Sequence, residues 1–162
     1  MRKTVSLLFV AATFVGFASA SAMAAQSLVR FDGGIGVIPV SAVNAAGQPV
    51  PNTVRGISPG GQPWVIRGLK AAVGADGRIK VDGRGLLLAG GNAIGTNGNQ
   101  SVRAVLFCGT LSQQSGLVPL EADGDFKIDD VLTPTTPNPC DSPVLLIVSG
   151  AGRWFAAGIP QE

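Results

Sequence analysis

The chain has 162 residues and a formal net charge of +2, and it contains neither histidine nor tyrosine. This length allows one domain with a real core. The nearly balanced charge argues against a nucleic-acid binder, which would show a clear basic excess. Without histidine, Ser-His-Asp and Cys-His catalysis and histidine metal sites are excluded, so carboxylates, lysines and serines are the groups left for chemistry.

The first 24 residues have the pattern of a secretory signal peptide. Two basic residues precede an apolar run at residues 5–17, and small residues follow up to Ala24. This order predicts export and cleavage after Ala24 or Ala25. The apolar run is shorter than the roughly 20 residues that span a bilayer. We therefore expect a secreted or periplasmic protein without a membrane span, in which residues 25–162 form a single β-domain.

Beyond this segment, turn residues recur about every ten positions and helical periodicity is missing. The pattern predicts an all-β protein, a single antiparallel β-sandwich of Greek-key or hairpin type, with a barrel as the alternative. Gly- and Pro-rich loops are predicted near residues 44–63, with one short added strand at 53–57, and near residues 89–100. The predicted strands are residues 27–31, 35–40, 64–73, 78–82, 101–108, 116–122, 125–129, 143–149 and 153–159.

Two similar stretches stand out, ADGRIKVDG beginning at Ala75 and ADGDFKIDD beginning at Ala122. In each, apolar residues alternate with charged ones after an Asp-Gly pair. Period-two alternation predicts a strand with one buried and one solvated face. An Asp-Gly pair supplies the backbone angles of a hairpin turn. The sequence therefore predicts two similar hairpins.

Three further segments have distinct patterns. The run VLLIV at 144–148 is apolar at every position, which predicts a strand covered on both faces. The Ser-Gly-Ala-Gly sequence at 149–152 predicts a hairpin turn to the next strand. Residues 132–139 are Pro-rich and suit an extended crossing at a sheet edge, and DGGIG at 32–36 is interpreted as a bulge or turn.

Charge is unevenly distributed along the chain. Residues 55–103 carry seven basic and two acidic side chains, whereas residues 121–141 carry six acidic and one basic. One interpretation is that the two regions complement one another across neighbouring strands. The other is a charged docking face or head-to-tail self-association.

Cys108 and Cys140 are the only cysteines. An even pair in an exported chain predicts a structural disulfide, with two free thiols or a redox pair as alternatives. The spacing differs from the Cys-x-x-Cys of thioredoxin-like redox pairs.

An acidic run supplies three calcium candidates, Asp123, Asp125 and Asp129, because Ca²⁺ prefers oxygen ligands. An EF-hand loop would need an acidic or amide side chain where Lys127 stands and Gly where Ile128 stands. The EF-hand motif therefore fails, and an irregular calcium site stays the alternative to solvated strand and turn residues. We expect that folding needs no bound metal and no organic cofactor.

Two alternatives to a simple structural role depend on particular side chains. Trp64 and Trp154 are interpreted as core residues, but exposed tryptophans would make a carbohydrate-binding module. A glycoside hydrolase would need two carboxylates about 5 to 10 Å apart in one cleft. The clustered candidates for that role are Asp123, Asp125, Asp129, Asp130 and Asp141.

Residues 53–159 contain, in order, a Val-Arg-Gly segment, a Pro-Trp-Val strand, a Cys-ended strand, and a second Cys before an apolar strand and a Trp-Phe-Ala-Ala-Gly close. This order resembles a group of small exported bacterial β-rich proteins with no assigned activity. The resemblance implies export, one β-domain, a paired Cys108 and Cys140, and no catalytic residue. The segment ADGDFKIDDVL is also similar to strands of transthyretin-like and carboxypeptidase-regulatory-like β-sandwiches.

The sequence thus predicts an exported, non-catalytic module. We expect it to bind an unidentified protein or surface component, or to serve as a structural part of the cell envelope, and self-association is compatible with it. The carbohydrate-binding module and the carboxylate-based glycoside hydrolase are kept as alternatives.

Overall fold

The computed structural model describes residues 27–161, so the predicted signal peptide and its cleavage site lie outside the described residues. No helix in this range is long and apolar enough to cross a membrane. The regular elements are thirteen strands: β1 Ser27–Gly36, β2 Val40–Val43, β3 Pro49–Pro51, β4 Trp64–Val65, β5 Gly68–Gly74, β6 Arg78–Arg84, β7 Leu87–Leu88, β8 Ser101–Cys108, β9 Leu111–Gln114, β10 Val118–Pro119, β11 Phe126–Val131, β12 Val144–Ser149 and β13 Trp154–Pro160.

Nine of these strands form one curled antiparallel sheet, a half-barrel, in the order β10-β8-β12-β13-β1-β5-β6-β11, with β9 also paired to β8. Two small sheets, β2–β3 and β4–β7, complete the fold. The prediction of an all-β, antiparallel protein is confirmed. The choice between sandwich and barrel stays a prediction.

The curl brings the two ends of the large sheet together. Gln114 of β9 and Thr133, just beyond β11, exchange backbone hydrogen bonds of 2.8 and 2.9 Å. The Asp130 carboxylate accepts a hydrogen bond of 2.7 Å from the Gly116 amide and one of 2.8 Å from the Val131 amide. Both bonds stabilise the ionised carboxylate and so lower the pKa of Asp130 below its ordinary value. The bond from Gly116 has the larger effect.

The interior is filled by the alternating apolar residues of the strands. The largest fully buried hydrophobic side chains are Phe31, Val37, Leu69, Val73, Ile79, Leu86, Val102, Leu106, Leu145, Leu146 and Ile147. Gly83 is required for close packing, since a Cβ there would lie 2.1 Å from the Phe126 ring. Period-two alternation thus does produce one buried face along β5, β6 and β11.

The first Asp-Gly hairpin is confirmed, because β5 and β6 pair across Asp76-Gly77. The prediction of a second hairpin across Asp123-Gly124 is wrong. The Gly124 amide donates to the Glu121 carbonyl and closes a turn, but β10 pairs with β8 while β11 pairs with β6. The two similar segments are therefore neighbours in the sheet rather than two separate hairpins.

The strand at VLLIV is β12, which lies between β8 and β13 and is buried on both faces as predicted. The hairpin from β12 to β13 is also confirmed: the Ser149 amide donates to the Arg153 carbonyl at 2.8 Å. The bulge predicted in DGGIG occurs inside β1, where the register shifts between Phe31 and Gly34 and Gly33 has a φ of 93°.

Three predicted strands are interrupted. Residues 35–40 divide between the end of β1 and the start of β2, and residues 64–73 divide into β4 and β5. Residues 116–122 contribute only the short β10. The added strand at 53–57 is reduced to a bridge between Val54 and Ile57.

Residues 52–60, the covering segment, pair with the start of β13. The Trp154 amide donates to the Ser58 carbonyl, and the Gly60 amide donates to the Trp154 carbonyl. Val54 and Ile57 of this segment pack against the core. The Arg55 guanidinium, through its two Nη atoms, reaches the Gly109 and Ser142 carbonyls at 3.1 and 3.5 Å. The segment is therefore fixed to the body of the protein, in which β12 is buried on both faces.

Candidate functional site

The outer face of one half of the sheet is charged and open. On β1, β5, β6 and β11 the residues that alternate with the core face solvent. We call this surface the charged face; it consists of Arg30, Asp32, Lys70, Ala72, Lys80, Asp82, Lys127 and Asp129. The non-local pairing of β11 with β6 creates it, because that pairing joins the acidic region of the chain to the basic one.

The sheet register arranges these side chains in two rows. The first row crosses β1, β5, β6 and β11 as Asp32, Lys70, Asp82 and Lys127, so its charges alternate in sign. The second row crosses the same strands as Arg30, Ala72, Lys80 and Asp129. Neighbouring side chains in such rows are close enough to interact directly.

Several ion pairs form within this array. Lys80 Nζ lies 3.6 Å from an Asp129 carboxylate oxygen, and Lys70 Nζ lies 3.9 Å from one of Asp32. Arg84 Nε lies 3.1 Å from Asp82, a hydrogen bond that raises the pKa of the guanidinium. All these side chains are largely exposed, so each pair adds little to stability. The predicted cross-strand complementarity is therefore present, but it leaves the charges accessible.

The charged face has a shallow open depression of about 740 Å³ at its centre. Ala72 lies between Arg30 and Lys80 in the second row, and its small side chain leaves the gap. The rim consists of long charged side chains, and the depression is open rather than enclosed.

The calcium candidates are dispersed, and of the three only Asp129 belongs to the charged face. Asp123 accepts a hydrogen bond from the Asp125 amide at 3.1 Å, and Asp125 accepts one from the Gly85 amide at 2.8 Å. Asp129 pairs with Lys80. Within residues 27–161, no group of three or more His, Cys, Asp or Glu side chains could hold a metal ion.

The remaining carboxylates of the hydrolase hypothesis lie elsewhere. Asp130 is held by the Gly116 amide where the sheet ends meet. Asp141 is an exposed residue next to the disulfide, and its backbone carbonyl accepts a hydrogen bond from the Gly109 amide.

The predicted disulfide is confirmed. Cys108 and Cys140 are bonded, with a Cα–Cα distance of 4.7 Å. The bridge ties the end of β8 to the segment that enters β12, and these two strands are neighbours in the sheet.

Both tryptophans are core residues. Trp64 stacks on Phe155 with ring centroids 4.0 Å apart, and Trp154 Nε1 donates to the Asn52 carbonyl at 2.8 Å. Trp64 is 5% and Trp154 is 4% exposed. A sugar could not stack on either ring in this conformation, so the carbohydrate-binding hypothesis loses the residues on which it depended.

A second surface was missed by the sequence analysis. The hairpin formed by β2 and β3, residues 40–51, projects from the body, and we call it the hairpin arm. Each residue of its two strands is exposed, including Val40, Val43 and Val50. The Asn44 side chain organises its turn by accepting hydrogen bonds from the Ala46 and Gln48 amides.

More exposed apolar side chains flank the base of the arm. They are Ile35, Ile38 and Val65, of which Ile38 is 66% exposed. The sequence signal was the set of valines on either side of Asn44-Ala-Ala-Gly, namely Val40, Val43 and Val50, but the prolines of β3 made the segment resemble a loop.

Comparison of the chain with protein-family models, curated proteins and solved structures finds no match.

Proposed function

We propose that the chain is an exported, non-catalytic binding module that docks to another protein of the cell envelope through the hairpin arm. The observation that carries the proposal is the exposure of valines along a projecting, preformed hairpin. Exposed valines on such a hairpin favour an interaction site, because burying them on a partner removes apolar surface from water.

The arm also has a strand edge suited to a polypeptide partner. Within the described residues β2 pairs only with β3. Pro49 and Pro51 have no amide hydrogen to donate, which makes β3 a poor template for a further strand. The β2 strand keeps its donors, so an extended segment of the partner would add beside β2 and bury its valines.

Export and the lack of catalysis are supported by separate observations. The predicted signal peptide and the disulfide favour an oxidising compartment outside the cytoplasm. The chain has no histidine, and its clustered carboxylates are tied to amides, lysines and arginines on open surfaces. The resemblance to small exported β-rich proteins with no assigned activity supports the same proposal.

Site-specific photo-crosslinking in exporting cells would test the docking site. A photo-crosslinking residue in place of Val43 should give a discrete protein adduct, whereas one in place of Ile94, exposed on the 89–100 loop, should not. Val40→Asp should reduce the adduct about tenfold or more, since it places a charge in the buried contact. The matched control Ile94→Asp should leave the adduct unchanged. Equal adduct patterns from positions 43 and 94 would contradict the proposal.

A further inference from the structure

We propose that the charged face is a self-docking surface, on which a second copy of this chain binds face to face about a two-fold axis. The inference concerns a different surface from the hairpin arm, so it stands or fails independently of the proposed function. It depends on the order of charges in the two rows and on the depression between them.

When the first row is taken in the reverse strand order, each position carries the opposite charge. A two-fold axis that runs along the strands between β5 and β6 places β1 over β11 of the partner copy and β5 over β6 of that copy. Asp32 then faces Lys127 of the other copy, and Lys70 faces Asp82. Since the contact is isologous, each of these opposite-charge pairs occurs twice.

The second row is complementary in charge at its ends and in size at its centre. Arg30 faces Asp129 of the other copy. Ala72 faces Lys80, so the long lysine stem of one copy enters the depression above the small alanine of the other. The depression is therefore filled in this arrangement.

Sheet twist does not destroy the match. Two twisted sheets that pack face to face cross at about 30°. The outermost strands of the four lie about 7 Å from the axis, because adjacent strands are about 4.8 Å apart. The resulting offset is about 4 Å, which flexible lysine and arginine side chains can bridge.

The expected association is weak and sensitive to salt. The two rows cover a patch of roughly 300 Å², well below the roughly 800 Å² per partner of a stable interface. Exposed charge pairs contribute little individually and are screened at high ionic strength. We therefore expect a reversible dimer at high protein concentration and low salt.

Charge reversal with mixing tests the arrangement directly. Lys127→Asp alone places Asp32 opposite a second aspartate, and Asp32→Lys alone places Lys127 opposite a second lysine. Sedimentation analysis should show that each variant associates at least about tenfold more weakly than the original protein. A one-to-one mixture of the two variants should restore dimers, because each mismatched position then meets its opposite charge.

Two control measurements complete this experiment. Arg153→Asp, on an exposed residue outside the charged face, changes the net charge as Lys127→Asp does and should leave self-association unchanged. Circular dichroism of each variant shows that it remains folded. Monomers of the original protein at all concentrations in low salt, or single variants that dimerise as well as the original protein, would overturn the proposal. A mixture that does not recover dimers would overturn it as well.

Discussion

The two halves of the curled sheet bury the same kind of inner face but differ on the outside. On β12 the outward side chains are apolar and mostly buried, whereas on β1, β5, β6 and β11 the outward side chains are largely charged and open to solvent. The difference shows that the local period-two pattern reports what lies above a strand. Alternation marks a solvated face, and a continuous apolar run marks a covered one.

The largest expected change in stability comes from a pair of matched aspartate substitutions, one in each half of the sheet. Leu146 shares a cross-strand row with Val105 and Ala157 on the outer face of β12, yet it is fully buried. Leu146→Asp should lower the free energy of unfolding by more than about 4 kcal/mol, because it buries an unpaired charge. Ala72→Asp, also outward but on the charged face, should change it by less than about 0.5 kcal/mol.

Urea unfolding followed by circular dichroism measures both variants. A Leu146 substitution that lowered stability no more than the Ala72 substitution would contradict the burial of the outer side of β12.

The disulfide belongs to the same comparison. It links the end of β8 to the segment before β12, and the chain between the two cysteines contains β11, the last strand of the charged half. Cys108 and Cys140 are 32 residues apart, and β11 lies between them. Replacing both by serine should cost about 3.5 to 4 kcal/mol, mainly through the freer unfolded chain. Thermal unfolding with and without reductant checks this: reductant should lower the midpoint of the original protein and leave that of the double variant unchanged.

The smallest effect concerns Asp130, where the two halves meet. Its pKa is lowered in the folded protein, so it adds stability above the ordinary carboxyl pKa, and this stability is lost as pH falls through the folded pKa. The side chain is near the surface, so the contribution should stay below about 1 kcal/mol. Asp130→Asn should therefore lower stability at neutral pH, and the deficit should shrink on acidification.

Unfolding curves between about pH 7 and pH 3 measure this difference. Asp141→Asn, at an exposed carboxylate, controls for the change in net charge. A deficit that stayed constant through the acid range would contradict the role of the ionised carboxylate.

Local features of the fold were predictable from the sequence because they depend on neighbouring residues. The β5–β6 turn at Asp76-Gly77 and the buried run of β12 follow from local chemistry, and the pairing of Cys108 with Cys140 follows from their being the only two cysteines. The partner of β11 did not follow, because an Asp-Gly turn fixes a change of direction but not the strand that receives the chain.

The position of the covering segment could not be predicted from the sequence either. Its composition resembles a loop, and its position depends on contacts with distant backbone, such as those of Arg55 with the carbonyls of Gly109 and Ser142. For the candidate surfaces, the complementarity of the basic and acidic regions across neighbouring strands was one of the two interpretations of the sequence, and β6 and β11 show it. The rows were not predicted, because they depend on a register between strands more than 40 residues apart, as Asp82 and Lys127 are.

The position of β1 in the sheet constrains the order in which the protein folds. Its neighbours are β5 and β13, so one edge of an early strand stays open until the last strand has been delivered. The Gln161 amide then closes onto the Arg30 carbonyl at 2.9 Å. Such long-range pairing pays its loop-closure entropy late and slows folding. A chain built this way cannot complete its large sheet until β13 is available to pair with both β1 and β12.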